Sequence, residues 1–135
     1  MQRFRLSGHC EGNVGLVDSK ELGRCGEELA ARYLAAHGCS IVQKNYRCPM
    51  GEIDIIARWG ELVIFAEVKT RRSGRFGRPG LAVDFFKQQK IIRSASWYIR
   101  QKGLEDSRFR CDVLEVIRTP AGQISVNHIK GAFEA

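Results

Sequence analysis

The chain has 135 residues, 44% of them hydrophobic and 27% charged, with a net charge of +7. That length suits one domain with a real core, and the composition is that of ordinary globular proteins rather than disordered or collagenous chains. The longest apolar run, Leu62 to Ala66, falls far short of the ~20 residues that span a bilayer, and the first residues hold no apolar signal core, so no membrane partner is expected.

Residues 1–17 mix glycines with polar residues without a period and read as a mobile N-terminal arm; residues 18–135 read as a single domain. Asp18 and Glu21 have capping-box spacing and open a helix that Gly38 closes, with Leu22, Cys25, Leu29, Tyr33 and Ala36 as its apolar stripe. A short strand begins at Ile41 and Val42. Strands near 52–58 and 62–69 follow, broken by Trp59 and Gly60. Residues 70–82, with three glycines and a proline, must be loop. Val83 to Lys102 reads as a second helix ended by Gly103, Phe109 to Ile117 as a strand, and Ile124 to Ile129 as a last short one. Alternating helices and strands in one small basic domain make a mixed α/β layer. The cysteines at 10, 25, 39, 48 and 111 are odd in number with no CxxC pair, a pattern of free thiols in a reducing cytoplasm. His9, His37 and His128 are isolated in sequence and give little support to a histidine metal site or a nucleophile triad.

The stretch GEIDIIARWGELVIFAEVKTRR, residues 51–72, raises the functional question, because each of its apolar strands carries an acid. If Gly60 and Glu61 are the centre of a type II′ turn, Ile53 faces Val68, Ile55 faces Ala66 and Ala57 faces Ile64, a wholly apolar face. The other face sets Ile56 against Phe65, Asp54 against Glu67 and Glu52 against Lys69. Facing carboxylates about 5 Å apart at their bases destabilise a sheet unless a cation lies between them. Two candidates stand open: Lys69 in a salt-bridge cluster with Glu52, or a divalent metal bridging Asp54 and Glu67. Mg²⁺ or Mn²⁺ suits such oxygen ligands, and the Val68 carbonyl is a further candidate ligand.

Seven cations, Lys69, Arg71, Arg72, Arg75, Arg78, Lys87 and Lys90, against one acid, Asp84, concentrate the charge excess in one window. A concentrated patch reads as a surface for a polyanion, with nucleic acid the commonest. A metal at Asp54 and Glu67 would lower the pKa of a bound water, Lys69 would steer the attack or stabilise developing charge, and the arginines would hold neighbouring phosphates. That is a phosphodiesterase layout. Gly74, Gly77 and Gly80 match no phosphate-binding loop and instead let a basic loop bend around a duplex.

Gly51-Glu52-Ile53-Asp54, followed by Phe65-Ala66-Glu67-Val68-Lys69-Thr70-Arg71, resembles the PD-(D/E)xK nuclease core, with Ile53 where the motif has proline. More closely, the chain is similar to the YraN-like family of presumed endonucleases, relatives of the archaeal Holliday-junction resolvases. Gly23, Gly26-Glu27, Tyr33-Leu34, Phe76-Gly77, Lys87, Arg110-Cys111-Asp112-Val113 and His128 to Phe133 extend the match; Cys111 stands where the family more often has Phe. The resemblance implies a restriction-endonuclease-like fold, a mixed central sheet flanked by helices. It adds Glu27 as a third acidic ligand reaching in from the first helix, and gives Lys87 and Lys90 a substrate-facing role. It favours DNA over RNA, junctions among the substrates, and opens the prospect of a homodimer. Asp112 reads as structural, pairing with Arg110 or a loop arginine, and Trp97 and Tyr98 as core and rim rather than base-stacking platforms. The rival is a nucleic-acid-binding module with structural carboxylates and no catalysis; both need the basic window, and only the nuclease needs Asp54, Glu67 and Lys69 together.

Overall fold

A computed structural model describes residues 19–72, 83–118 and 120–134. The N-terminal arm and Arg75 and Arg78 of the basic loop lie outside these residues, as does the side chain of Arg72.

Helix α1 (Ser19–Ala36) ends where Gly38 turns to φ +91°, so that the Cys39 N–H reaches the Leu34 carbonyl at 2.9 Å and the Gly38 N–H the Ala35 carbonyl at 3.1 Å. Helix α2 (Phe85–Gln101) closes in the same way: Gly103 has φ +65°, and the Leu104 N–H reaches the Ile99 carbonyl at 2.9 Å. It starts two residues later than the sequence suggests. Asp84 is its cap, accepting from the Lys87 N–H at 2.8 Å, while Val83 is buried ahead of it.

Strands β1 (Ser40–Cys48), β2 (Gly51–Trp59), β3 (Leu62–Arg72), β4 (Phe109–Arg118) and β5 (Ile124–Phe133) form one sheet in the order β1-β2-β3-β4-β5. Only β3 and β4 run parallel, the pair that α2 connects. This is the mixed central sheet between helices expected of the restriction-endonuclease-like class. Gly60 has φ +59° at the β2–β3 turn, and the register runs as anticipated from Trp59 opposite Leu62 to Ile55 opposite Ala66.

Both faces of the sheet are core. Leu29, Ala30, Tyr33 and Leu34 of α1 pack on Ile55, Ala57, Ile64, Ala66, Leu114 and Val116. Ile91, Ile92, Ala95, Tyr98 and Ile99 of α2 pack on Ile53, Ile56, Val63, Phe65, Cys111 and Val113. Ile53 therefore departs from the expected face. The paired ladder with β3 ends at Ile55, and beyond it β2 is free to twist, turning Ile53 toward α2. Tyr98 lies in the core and Trp97 is half-buried, the reverse of the expected core and rim.

Cys39, Cys48 and Cys111 are free thiols, whereas Cys25 is disulfide-bonded, a correction to the all-thiol expectation. An odd count without a CxxC pair says nothing of which cysteines tertiary folding brings together. Among the described residues no helix is long and apolar enough to cross a membrane.

Candidate active site

Two strand segments, the middle of α1 and the first turn of α2 assemble the candidate site. Asp54 sits near the start of β2, just past the last paired residue, and its Oδ2 accepts the Val68 N–H of β3 at 2.8 Å. That bond holds the carboxylate over β3 near Glu67, which is only 4% exposed. Burial, then the adjoining charge of Glu67, push the Asp54 carboxyl up to about 7, with Glu27 adding to the rise and the Val68 N–H opposing it.

Two lysines converge on the same Glu67 oxygen. Lys87 Nζ is 2.5 Å from Oε1 and Lys69 Nζ is 3.7 Å away. Lys87 arrives from the first turn of α2, whose start the Asp84 cap fixes. Burial works against its charge, but the hydrogen bonds to Glu67 and Lys69 prevail and raise its pKa. Lys69 is shifted down, by burial first and then by the Lys87 ammonium beside it. A lysine held below its usual range is better placed to handle a proton than a fully charged one.

Glu27 approaches from α1. Gly26, its neighbour, has no room for a β-carbon because the Thr70 side chain of β3 occupies that space, so α1 crosses β3 at close range there. The Glu27 carboxyl is shifted up by burial and by the charges of Glu52 and Glu67, with a hydrogen bond from Asn45 opposing. It thus shares the electrostatic neighbourhood of the pair. Among the described residues, however, no three His, Cys, Asp or Glu side chains are gathered closely enough to hold a metal.

The remaining expected residues divide. Arg71 is turned inward onto Glu115 at 3.1 Å, and Asn127 donates to the same carboxylate at 3.0 Å. Lys90 is exposed on α2. Lys69 does not pair with Glu52, as one alternative had it: Glu52 is exposed and lies 3.6 Å from Arg47, its neighbour across the β1–β2 ladder. Lys69 instead points along its own strand face to Glu67. Sequence reasoning passed over Glu115, although it shows the signal that marked Asp54 and Glu67, an acid within the apolar run of β4.

A second buried carboxylate, Asp112, lies on β4 and is fully supplied from within. Arg110 donates to it twice, at 2.7 and 2.9 Å, His128 Nε2 at 2.7 Å and the Gly131 N–H at 3.0 Å. Burial would raise its pKa, but the His128 and Arg110 bonds outweigh that and lower it. His128, isolated in sequence, is thus partnered in space. The Arg110 pairing is as expected.

The fold and this constellation define an α/β protein with a mixed sheet between two helices and a paired-carboxylate site. The family model described as Uncharacterised protein family UPF0102 matches residues 26–116. A UPF0102 protein of Geobacter metallireducens is 47% identical over 120 residues, covering 87% of this chain and 96% of its own. One from Caldanaerobacter subterraneus subsp. tengcongensis is 44% identical over 119 residues, covering 87% and 98%. The chain belongs to the UPF0102 family, and the YraN-like resemblance of its motifs holds. Among solved structures, Pyrococcus furiosus SfsA in complex with Ca²⁺ superposes with a TM-score of 0.43 and 15% identity, over 88% of this chain. The chain spans 66% of that protein; at this TM-score the likeness carries no argument.

Proposed function

We propose that this protein is a metal-dependent endonuclease that hydrolyses phosphodiester bonds in nucleic acid, DNA in preference to RNA, in the cytoplasm. The observation that carries the reading is the Asp54–Glu67 pair: a half-buried and a buried carboxylate side by side, the first lifted to about 7 by burial and by the other's charge. Asp54 meets a backbone N–H and another acid and has no ion pair among the described residues, a deficit at that carboxylate that a divalent cation would relieve. These hard oxygen donors fit Mg²⁺ or Mn²⁺. Asp54 and Glu67 would hold the ion, with Glu27 and the Val68 carbonyl as candidate additional ligands. When bound, the ion supplies a water of lowered pKa and neutralises charge on the phosphate.

The chain's own groups do the rest. Lys69, with its lowered pKa, takes or orients a proton of the attacking water. With an ion held at Glu67, Lys87 would be free to leave that carboxylate for a phosphate oxygen. Arg72, Arg75, Arg78 and Lys90 supply sequence-independent phosphate contacts, while Arg71 stays on Glu115. A homodimer would present two such sites to a branched substrate.

A second reading has one observation in its favour. Lys87 already neutralises Glu67 at 2.5 Å, as a purely structural ion pair would. On that reading the protein binds nucleic acid without cleaving it. The two separate in a cleavage screen on linear and branched DNA and RNA with and without Mg²⁺ or Mn²⁺, alongside metal titration of Asp54→Asn/Glu67→Gln. Metal-dependent cleavage that the double variant loses supports the nuclease. Binding without cleavage under every metal supports the module. Changing Arg72, Arg75 and Arg78 to Ala should flatten the slope of log affinity against log salt by up to about 3 on duplex DNA; an unchanged slope would remove the basic window from the interface.

A further inference from the structure

We infer that the outer face of α2 is a rail for the phosphates of a duplex arm, held by Lys90, Arg93 and Arg100 and leading away from the candidate site at Lys87. The helix carries Lys87, Lys90, Arg93 and Arg100 and no acid. Its residues Ile91, Ile92, Ala95, Tyr98 and Ile99 are buried against the sheet. At ~100° per residue, Phe86, Lys90, Arg93, Trp97 and Arg100 fall within about 80° of arc on the opposite side. Their burial agrees with that placement. Phe86 is 82% exposed, Lys90, Arg93 and Arg100 are exposed, and Trp97 is half-buried.

None of Lys90, Arg93 and Arg100 takes part in an ion pair among the described residues. Arg71 and Arg110, by contrast, are each held by a buried carboxylate. A face that serves only solubility mixes both signs, whereas cations of one sign in a line make a field for an anion. The nearest acids along the chain bound the rail and do not interrupt it. Asp84 stands ahead of the helix and accepts the Lys87 N–H as its cap, and Glu105 and Asp106 follow the Gly103 turn.

Shape and charge select the occupant. Lys87 and Arg100 are thirteen steps apart, about 20 Å at ~1.5 Å per residue, or about six base pairs at ~3.4 Å each. A helix packed on a sheet is a fixed line of charge, and a duplex, with a persistence length of about 150 base pairs, lies along it without bending. A second copy would set like charges against each other. A lipid surface would need an apolar face to enter it, but the aliphatic residues of α2 are buried and only Phe85 and Phe86 are large exposed apolar residues on it. The inference rests on the nucleic-acid reading above and sharpens the substrate: about six base pairs of duplex to one side of the scissile phosphate.

The test uses the full chain in metal-free buffer and two labelled probes, a blunt duplex and one of its strands alone. Arg93→Ala/Arg100→Ala should flatten the slope of log affinity against log salt on the duplex by up to about 1.8, at ~0.9 per phosphate contact. Arg32→Ala/Lys130→Ala removes the same charge from exposed positions on the α1 side of the sheet and should keep the wild-type slope. Thermal melting should show both variants folded, since all four side chains are exposed. The flattening should shrink on the unpaired strand, which has no stiffness to follow the rail. As a measurement that leaves the rail intact, Trp97 emission in a Trp59→Phe background should change when duplex is added. Equal flattening by the two variants would reduce the rail to net charge and overturn it. So would an equal loss on both probes, or Trp97 emission that duplex leaves unchanged. Polyglutamate or phosphatidylserine vesicles competing as well as duplex would also overturn it, making the partner an acidic segment or a lipid surface. A wild-type slope in Arg93→Ala/Arg100→Ala, with wild type binding duplex and cleaving it once Mn²⁺ is added, would sink the rail and leave the nuclease standing. Wild type that binds neither probe would sink both.

Discussion

Asp112 and the Asp54–Glu67 pair occupy one sheet, on β4 and on β2 and β3, and share the cost of burying carboxylates. Asp112 meets two bonds from Arg110 and one each from His128 and Gly131, and its pKa is lowered. Asp54 meets the Val68 N–H and another acid, and its pKa rises to about 7. The difference separates a carboxylate answered by donors on all sides from one set against a second acid. Burial is common to both; what distinguishes them is whether the chain itself supplies the countercharge.

The comparison breaks first at Asp112. Asp112→Ala would strand a buried guanidinium, an imidazole and an N–H, and should cost about 3–5 kcal/mol in urea unfolding. A change under about 1 kcal/mol would mean the cluster is not structural. The contribution should also fade in acid. The Asp112 pKa lies below its unfolded value in the folded state, so its stabilisation is present above about pH 4 and is lost as pH falls.

Lys69→Met probes the other site. Cleavage should fall by about 10²-fold, equivalent to ~2.7 kcal/mol of barrier, with substrate affinity nearly unchanged. Parallel losses in rate and affinity would reduce Lys69 to one more phosphate contact.

Asp54→Asn should act on stability in the opposite sense to Asp112→Ala. The folded pKa of Asp54 is raised, so the folded protein holds the extra proton between about pH 4 and pH 7 and wild-type stability falls as pH rises through that window. Without metal, the variant should be more stable than wild type by about 1–3 kcal/mol at pH 8, with no advantage below pH 4. Mg²⁺ should stabilise wild type and not the variant. A variant destabilised at pH 8 would place Asp54 with Asp112 as a structural acid.

The smallest effect concerns Lys87, which competes for Glu67. Lys87→Met should tighten Mn²⁺ binding by up to about fivefold, since the ion pair it removes has a half-exposed partner. Weaker metal binding in calorimetry would show that the lysine supports the site rather than occupying it.

Much of this was legible in the amino-acid sequence by itself. The glycines after each helix, the Gly60-Glu61 turn and the register it sets follow from local backbone preferences, which act over a few residues. The acids at 54 and 67 stood out because apolar strands rarely carry them without a reason. Tertiary structure decided the rest. Alternation assigns a face only while a ladder stays regular, so the turn of Ile53 toward α2 had no sequence signal. The Lys87 contact with Glu67 and the His128 bond to Asp112 depend on how α2 and β5 pack against the sheet, and the Arg71 bond to Glu115 on the register of the parallel β3–β4 ladder. Sequence could show which residues are chemically able to pair. Because long-range packing alone fixes which of them meet, only the fold could say that Asp112 is answered from within and Asp54 is not.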